Sequence, residues 1–190
     1  TGSGDDSIDI STTAAASTFS NSWNWGVWNN NSSVNVESVG LLNSPLNTGS
    51  GDDVININSL AKNEFISFGQ LNSDDANVSS YGVYSSSINT GSGDDSININ
   101  ASSVSLTRNL WGWESREIGL GQSEAVGLEK STINTGSGDD KVEISAYSFG
   151  TITNSWAIRD SSIDTGIGND TVILNASDLA VSMGEAIEPA

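Results

Sequence analysis

One short phrase returns five times in this chain, and its return limits the fold more than anything else in the sequence. The copies read "TGSGDDSIDI" from Thr1, "NTGSGDDVININ" from Asn47, "NTGSGDDSININ" from Asn89, "NTGSGDDKVEIS" from Asn134 and, more loosely, "DTGIGNDTVILN" from Asp164. The motif threonines Thr1, Thr48, Thr90, Thr135 and Thr165 stand 47, 42, 45 and 30 residues apart. Periods of about 20–50 residues belong to solenoids, propellers and repeat arrays. A constant core with uneven spacing describes one structural unit that carries loops of different length.

Aligning the copies exposes the strands. After each acidic turn one column reads Ile8, Ile55, Ile97, Val142, Val172, and two residues on another reads Ile10, Ile57, Ile99, Ile144, Leu174. The residues between, Asp9, Asn56, Asn98, Glu143 and Ile173, are mostly polar. Period-two alternation with β-branched residues marks a strand with one buried face. Before each turn, Leu46, Ile88, Ile133 and Ile163 mark a second strand, and Leu41, Val83, Leu128 and Ile158 in the upstream "GL"-type block mark a third. Three short strands per repeat in fixed order predict an all-β chain, a right-handed parallel β-helix (β-solenoid) of about five coils with variable loop insertions. The coils run over approximately 1–47, 48–89, 90–134 and 135–164, with a partial coil over 165–190, in one array over 1–190 that reads as a segment of a longer array or filament. A propeller is the rival, but a 30-residue repeat is short for a four-stranded blade.

Stacking turns the charge into a problem. The chain carries 24 Asp and Glu against 6 Lys and Arg, a net charge of −18, with no His and no Cys. That balance disfavours nucleic acid and anionic membranes as partners, and the missing Cys and His remove disulfides and the usual zinc sites. No apolar run reaches the roughly 18 residues of a membrane span. In a stack, Asp5 and Asp6 lie beneath Asp52 and Asp53, then Asp94 and Asp95, Asp139 and Asp140, and Asn169 and Asp170. Like charges about 5 Å apart repel by roughly 1 kcal/mol in water and about 3 kcal/mol at an effective dielectric of 20. A compensating cation is expected. All-oxygen ligands of irregular geometry favour Ca²⁺ over Mg²⁺.

The pattern Gly-x-Gly-x-Asp-x-aliphatic, as in Gly49, Gly51, Asp53 and Ile55, resembles the calcium-binding nonapeptide of RTX (hemolysin-type) proteins, G-G-x-G-x-D-x-U-x. Threonine stands for the first glycine in every copy, and one nonapeptide occurs per long coil rather than a tandem run, which implies one calcium row at most. The resemblance implies ligation by the carboxylates of Asp6, Asp53, Asp95, Asp140 and Asp170. It adds carbonyls of Gly2, Gly4, Gly49, Gly51, Gly91, Gly93, Gly136, Gly138, Gly166 and Gly168. Asp5, Asp52, Asp94 and Asp139 are supporting candidates. A tight turn alone also accounts for the glycines, though not for two acids per layer.

All six tryptophans lie outside the acidic-turn strands: Trp23, Trp25 and Trp28 in one insert, Trp111 and Trp113 in another, and Trp156 in "TNSWAIRD". They read either as local packing or as a contact surface for glycans or a neighbouring molecule. The basic residues are scattered over different columns, so catalysis of the polysaccharide lyase or epimerase kind has little support. Neither end of the array looks capped, and open parallel edges pair with further chain. The expectation is a secreted or cell-surface, non-enzymatic, calcium-binding rod, resembling the RTX-repeat surface fibril, S-layer and adhesin proteins. It would assemble end to end or laterally with copies of itself, with a glycan-binding adhesion module as the alternative and a lyase-type enzyme less favoured.

Overall fold

The computed structural model describes residues 2–20, 34–67, 76–109, 116–118 and 121–181. The first repeat contributes β1 (Gly2–Ser3), β2 (Ser7–Ser20) and β3 (Val34–Leu42), and the second β4 (Pro45–Ser50), β5 (Val54–Ser67) and β6 (Ala76–Tyr84). The third adds β7 (Ser87–Ser92), β8 (Ser96–Asn109), the short β9 (Arg116–Ile118) and β10 (Gln122–Glu129). Then come β11 (Thr132–Asn134), β12 (Lys141–Gly150) and β13 (Ile152–Arg159), and last β14 (Ser162–Asp164) and β15 (Thr171–Ala180). No helix occurs among the described residues.

Each strand pairs with its equivalent in the neighbouring repeat, so the strands sort into three sheets. The turn sheet runs β1-β4-β7-β11-β14, the long sheet β15-β12-β8-β5-β2, and the third sheet β13-β10-β6-β3. Every pairing along these orders is parallel; β9 alone pairs antiparallel, with β8. The register places like on like. Ile8, Ile55, Ile97, Val142 and Val172 stand in one column, Leu46, Ile88, Ile133 and Ile163 in a second, and Leu41, Val83, Leu128 and Ile158 in a third. The aligned columns of the sequence are columns in space, because a parallel ladder sets equivalent residues about 4.8 Å apart.

One apolar cluster draws Ile55, Ile57, Ile97 and Ile99 from the long sheet, Val83 and Leu128 from the third sheet, and Ile88 and Ile133 from the turn sheet. Each such side chain, fully buried, contributes about 1.5–3 kcal/mol. Farther along the long sheet the side chains shrink to Ala61, Ala101 and Ala146, facing Val36, Val78 and Ala125. Here hydroxyls link the layers: Ser38 donates to Thr12 at 3.0 Å, Ser59 to Ser38 at 2.9 Å and Ser80 to Ser59 at 3.0 Å. The corner between the third sheet and the turn sheet is also a column. Asn43, Ser85, Lys130 and Asp160 all sit in the left-handed region, at φ of 48° or 49°. The serine after each, in the first three repeats, donates its N–H to the next serine's Oγ: Ser44 to Ser86 at 3.1 Å, Ser86 to Ser131 at 3.0 Å, Ser131 to Ser161 at 2.9 Å.

Candidate metal centre in the acidic turns

Each acidic turn carries the chain from the turn sheet to the long sheet, so the five turns stack as the strands do. The turn glycines hold positive φ, 97° at Gly91 and 128° at Gly93. A Cβ there would also be driven into the carbonyl oxygen of Gly49 or Gly51 one layer back, and the same collision holds at Gly49, Gly51, Gly136, Gly138, Gly166 and Gly168. Glycine is therefore required twice over, by dihedral and by stacking. Gly2 and Gly4 have no preceding layer and meet nothing within 4 Å. The carbonyls of Gly2, Gly4, Gly49, Gly51, Gly91, Gly93, Gly136 and Gly138 thus face the next glycine along the stack. Among them, Gly91 accepts a hydrogen bond from the N–H of Ser137 at 3.1 Å and Gly136 from that of Ile167 at 2.9 Å.

The threonine that departs from the RTX pattern has a job of its own. Thr48, Thr90 and Thr135 are fully buried. Their hydroxyls donate to the carbonyls of Thr90, Thr135 and Thr165 at 3.2, 3.3 and 3.0 Å. Each bond joins two layers. These bonds are invisible in the sequence, because each partner lies in the neighbouring repeat.

The acids form two columns, as the alignment predicts, and each column is a ladder. In the inner column the N–H of Asp6 donates to Asp53 Oδ1 at 2.8 Å, that of Asp53 to Asp95 at 2.9 Å, that of Asp95 to Asp140 at 2.9 Å, and that of Asp140 to Asp170 at 3.0 Å. In the outer column the polarity reverses: Asp52 donates back to Asp5 at 3.0 Å, Asp94 to Asp52 at 2.8 Å, Asp139 to Asp94 at 2.8 Å and Asn169 to Asp139 at 2.8 Å. Hydrogen bonds to an ionised acceptor are about twice as strong as neutral ones. The backbone therefore supplies part of the compensation that charge counting from sequence assigned wholly to a cation.

It does not supply all of it. Asp53, Asp95 and Asp140 are 1%, 2% and 2% exposed, and the Oδ2 of each is buried with no hydrogen-bond partner. Orphaned buried oxygens of this kind are rare in native proteins and call for an ion, a water or a proton. Burial pushes the Asp95 carboxyl above its ordinary value of 3.8, and the charges of Asp140 and Asp53 push the same way, against the N–H of Asp53 and the nearby Thr90 hydroxyl. That hydroxyl has a single proton, which the geometry gives to the Thr135 carbonyl. The outer acids Asp5, Asp52, Asp94 and Asp139 are exposed.

The inner carboxylates therefore fit a hard cation in donor chemistry, burial and unmet valence. Many of the glycine carbonyls are committed to the stack. Among the described residues no group of three or more acidic side chains is gathered at one point. Of the tryptophans, Trp156 lies on β13 and is 48% exposed; Trp23, Trp25, Trp28, Trp111 and Trp113 lie outside the described residues. Comparison with protein-family models, curated proteins and solved structures found no match for this chain.

Proposed function

We propose that the chain is a stretch of a right-handed β-solenoid of about five coils, extracellular or on a cell surface, whose acidic turns hold a single row of Ca²⁺ and whose role is mechanical rather than catalytic. The observation that carries it is the inner aspartate column, in which one oxygen of Asp53, Asp95 and Asp140 is tied to the backbone and the other is buried and unmet. Asp6, Asp53, Asp95, Asp140 and Asp170 would hold the ions. Asp5, Asp52, Asp94 and Asp139 keep the turns in register through their own ladder and add negative potential at its mouth. Calcium, when bound, supplies the positive charge that the chain lacks there. Extracellular calcium lies in the millimolar range at which such modules bind, which suits secretion.

The array would continue end to end, within a longer chain or between copies. Val172 and Leu174 of β15 continue the apolar columns and are 44% and 48% exposed. A ligand that binds only the folded state stabilises it in proportion to RT ln(1 + [L]/Kd). Titrating calcium into the chelated protein while following thermal unfolding by circular dichroism should raise the melting temperature progressively. Asp95→Ala, with acids above and below, should weaken the response more than Asp6→Ala. Identical melting in chelator and in millimolar calcium would refute the calcium row.

A further inference from the structure

The outer face of the third sheet gathers aromatic and charged side chains into one network. The turn sheet exposes a short polar column, Asn47, Asn89 and Asn134. On the third sheet, Tyr81, Val126 and Trp156 occupy one column, and Tyr84, Glu129 and Arg159 the next. Arg159 holds two carboxylates at once, Nη1 on Glu124 Oε1 and Nη2 on Glu129 Oε2, the second at 2.6 Å. The Tyr81 hydroxyl donates to the other oxygen of Glu124 at 3.1 Å. The Tyr81 and Tyr84 rings meet edge to face at 5.4 Å, and Lys130 Nζ lies 5.3 Å above the Tyr84 ring. Burial and the Glu124 charge push the Tyr81 hydroxyl up to about 12, so it stays a donor.

Val126 is fully buried beneath this network, while the Trp156 indole beside it stays half exposed. Arg159 and Lys130 balance Glu124 and Glu129, and with Asp160 near Lys130 the patch is only weakly negative on a chain of net charge −18. The planar groups are already held by one another, so little side-chain entropy remains to be lost on binding. A half-exposed indole beside fixed carboxylate and guanidinium groups suits a ligand with one apolar face and a rim of hydroxyls. Polyanions are repelled by the net charge.

We propose that this face binds a neutral glycan chain, with Trp156 stacked on a sugar ring and the part-exposed Glu124 and Arg159, anchored from beneath by the buried Glu129, hydrogen-bonding its hydroxyls. The site is separate from the acidic turns and does not depend on what they bind. The test is native gel electrophoresis through gels containing hydroxyethylcellulose, dextran or a mixed-linkage β-glucan, with a polyuronate gel for comparison. The wild-type chain should be retarded in at least one neutral gel and not by the polyuronate. Trp156→Ala, checked as folded by circular dichroism, should lose about tenfold in apparent affinity, and Tyr81→Phe, which frees Glu124 from its hydroxyl donor, should alter it measurably. Free mobility of the wild type in every neutral gel overturns the proposal. So does equal retardation of Trp156→Ala, or self-association in sedimentation that disappears in Trp156→Ala, which would make the partner a second copy.

Discussion

At the level of single residues the stack distinguishes positions that are identical in sequence. Gly91 and Gly2 are both the first glycine of the acidic turn, yet only Gly91 has a carbonyl oxygen where its Cβ would go. Gly91→Ala should therefore cost several kcal/mol, in the range of severe steric and backbone changes, about 4 kcal/mol or more. Gly2→Ala should cost only the dihedral strain, about 1–2 kcal/mol. Urea unfolding of the two variants measures the difference, and equal losses would mean that the turns are not stacked. The corner column offers the opposite change. Ser85 holds a φ of 48°, a strain that glycine relieves, so Ser85→Gly should leave the chain unharmed or more stable by up to about 1 kcal/mol.

The acidic column behaves as an element, and its charge can be titrated. The folded-state pKa of Asp95 lies above its ordinary 3.8. The proton is thus bound more tightly in the folded chain. Its stabilising effect is complete below the unfolded value and is lost as pH rises through the raised folded value. In calcium-free buffer at pH 7, Asp95→Asn, which keeps an acceptor for the Asp53 N–H, should be more stable than wild type, by about 1–3 kcal/mol of relieved repulsion. That advantage should shrink as the pH falls toward 4. In millimolar calcium the order should reverse. Melting temperatures at pH 4 and 7 with and without calcium test all three statements, and a wild type that leads in every condition contradicts them. The apolar columns were legible in the sequence because period-two alternation is local: Ile55 and Ile57 announce their face within three residues. The threonine and aspartate ladders were not legible, since the partner of Thr48 is the carbonyl of Thr90 and the partner of Asp53 is the carboxylate of Asp95. Spacing showed that these residues stack but not which atoms bond. The patch around Arg159 was missed for a related reason. Sequence scattered the basic residues over separate columns, and the guanidinium spans from one column to another to reach Glu124.

On the scale of the whole molecule, the inserts are the variable parts. The insert carrying Trp23, Trp25 and Trp28 joins β2 to β3, whereas β12 passes to β13 without one. Replacing residues 21–31 by a short Gly-Ser loop should leave the β-sheet signal in circular dichroism unchanged, and a collapse of that signal would place the insert in the core. Electron microscopy of the protein in calcium should show rods or fibres longer than one chain; discrete single particles at all calcium concentrations would count against end-to-end growth.

The opposed polarity of the two aspartate ladders reaches beyond stability. Every junction between layers is made in the same way, one N–H passed forward on the inside and one passed back on the outside, from the same pair of residues. In the ladders themselves only Asn169, whose N–H still donates to Asp139, marks one junction from another. Excising Thr90–Asn134 would set Asp53 against Asp140 and Asp52 against Asp139 with the same donors and acceptors. A gene encoding such a chain can gain or lose whole repeats by recombination between its near-identical segments, and each product remains a foldable chain of another length. Length is then free to drift under selection while the cross-section stays fixed. The deletion variant, if it is as cooperative in unfolding as its parent, would show that the joints are interchangeable.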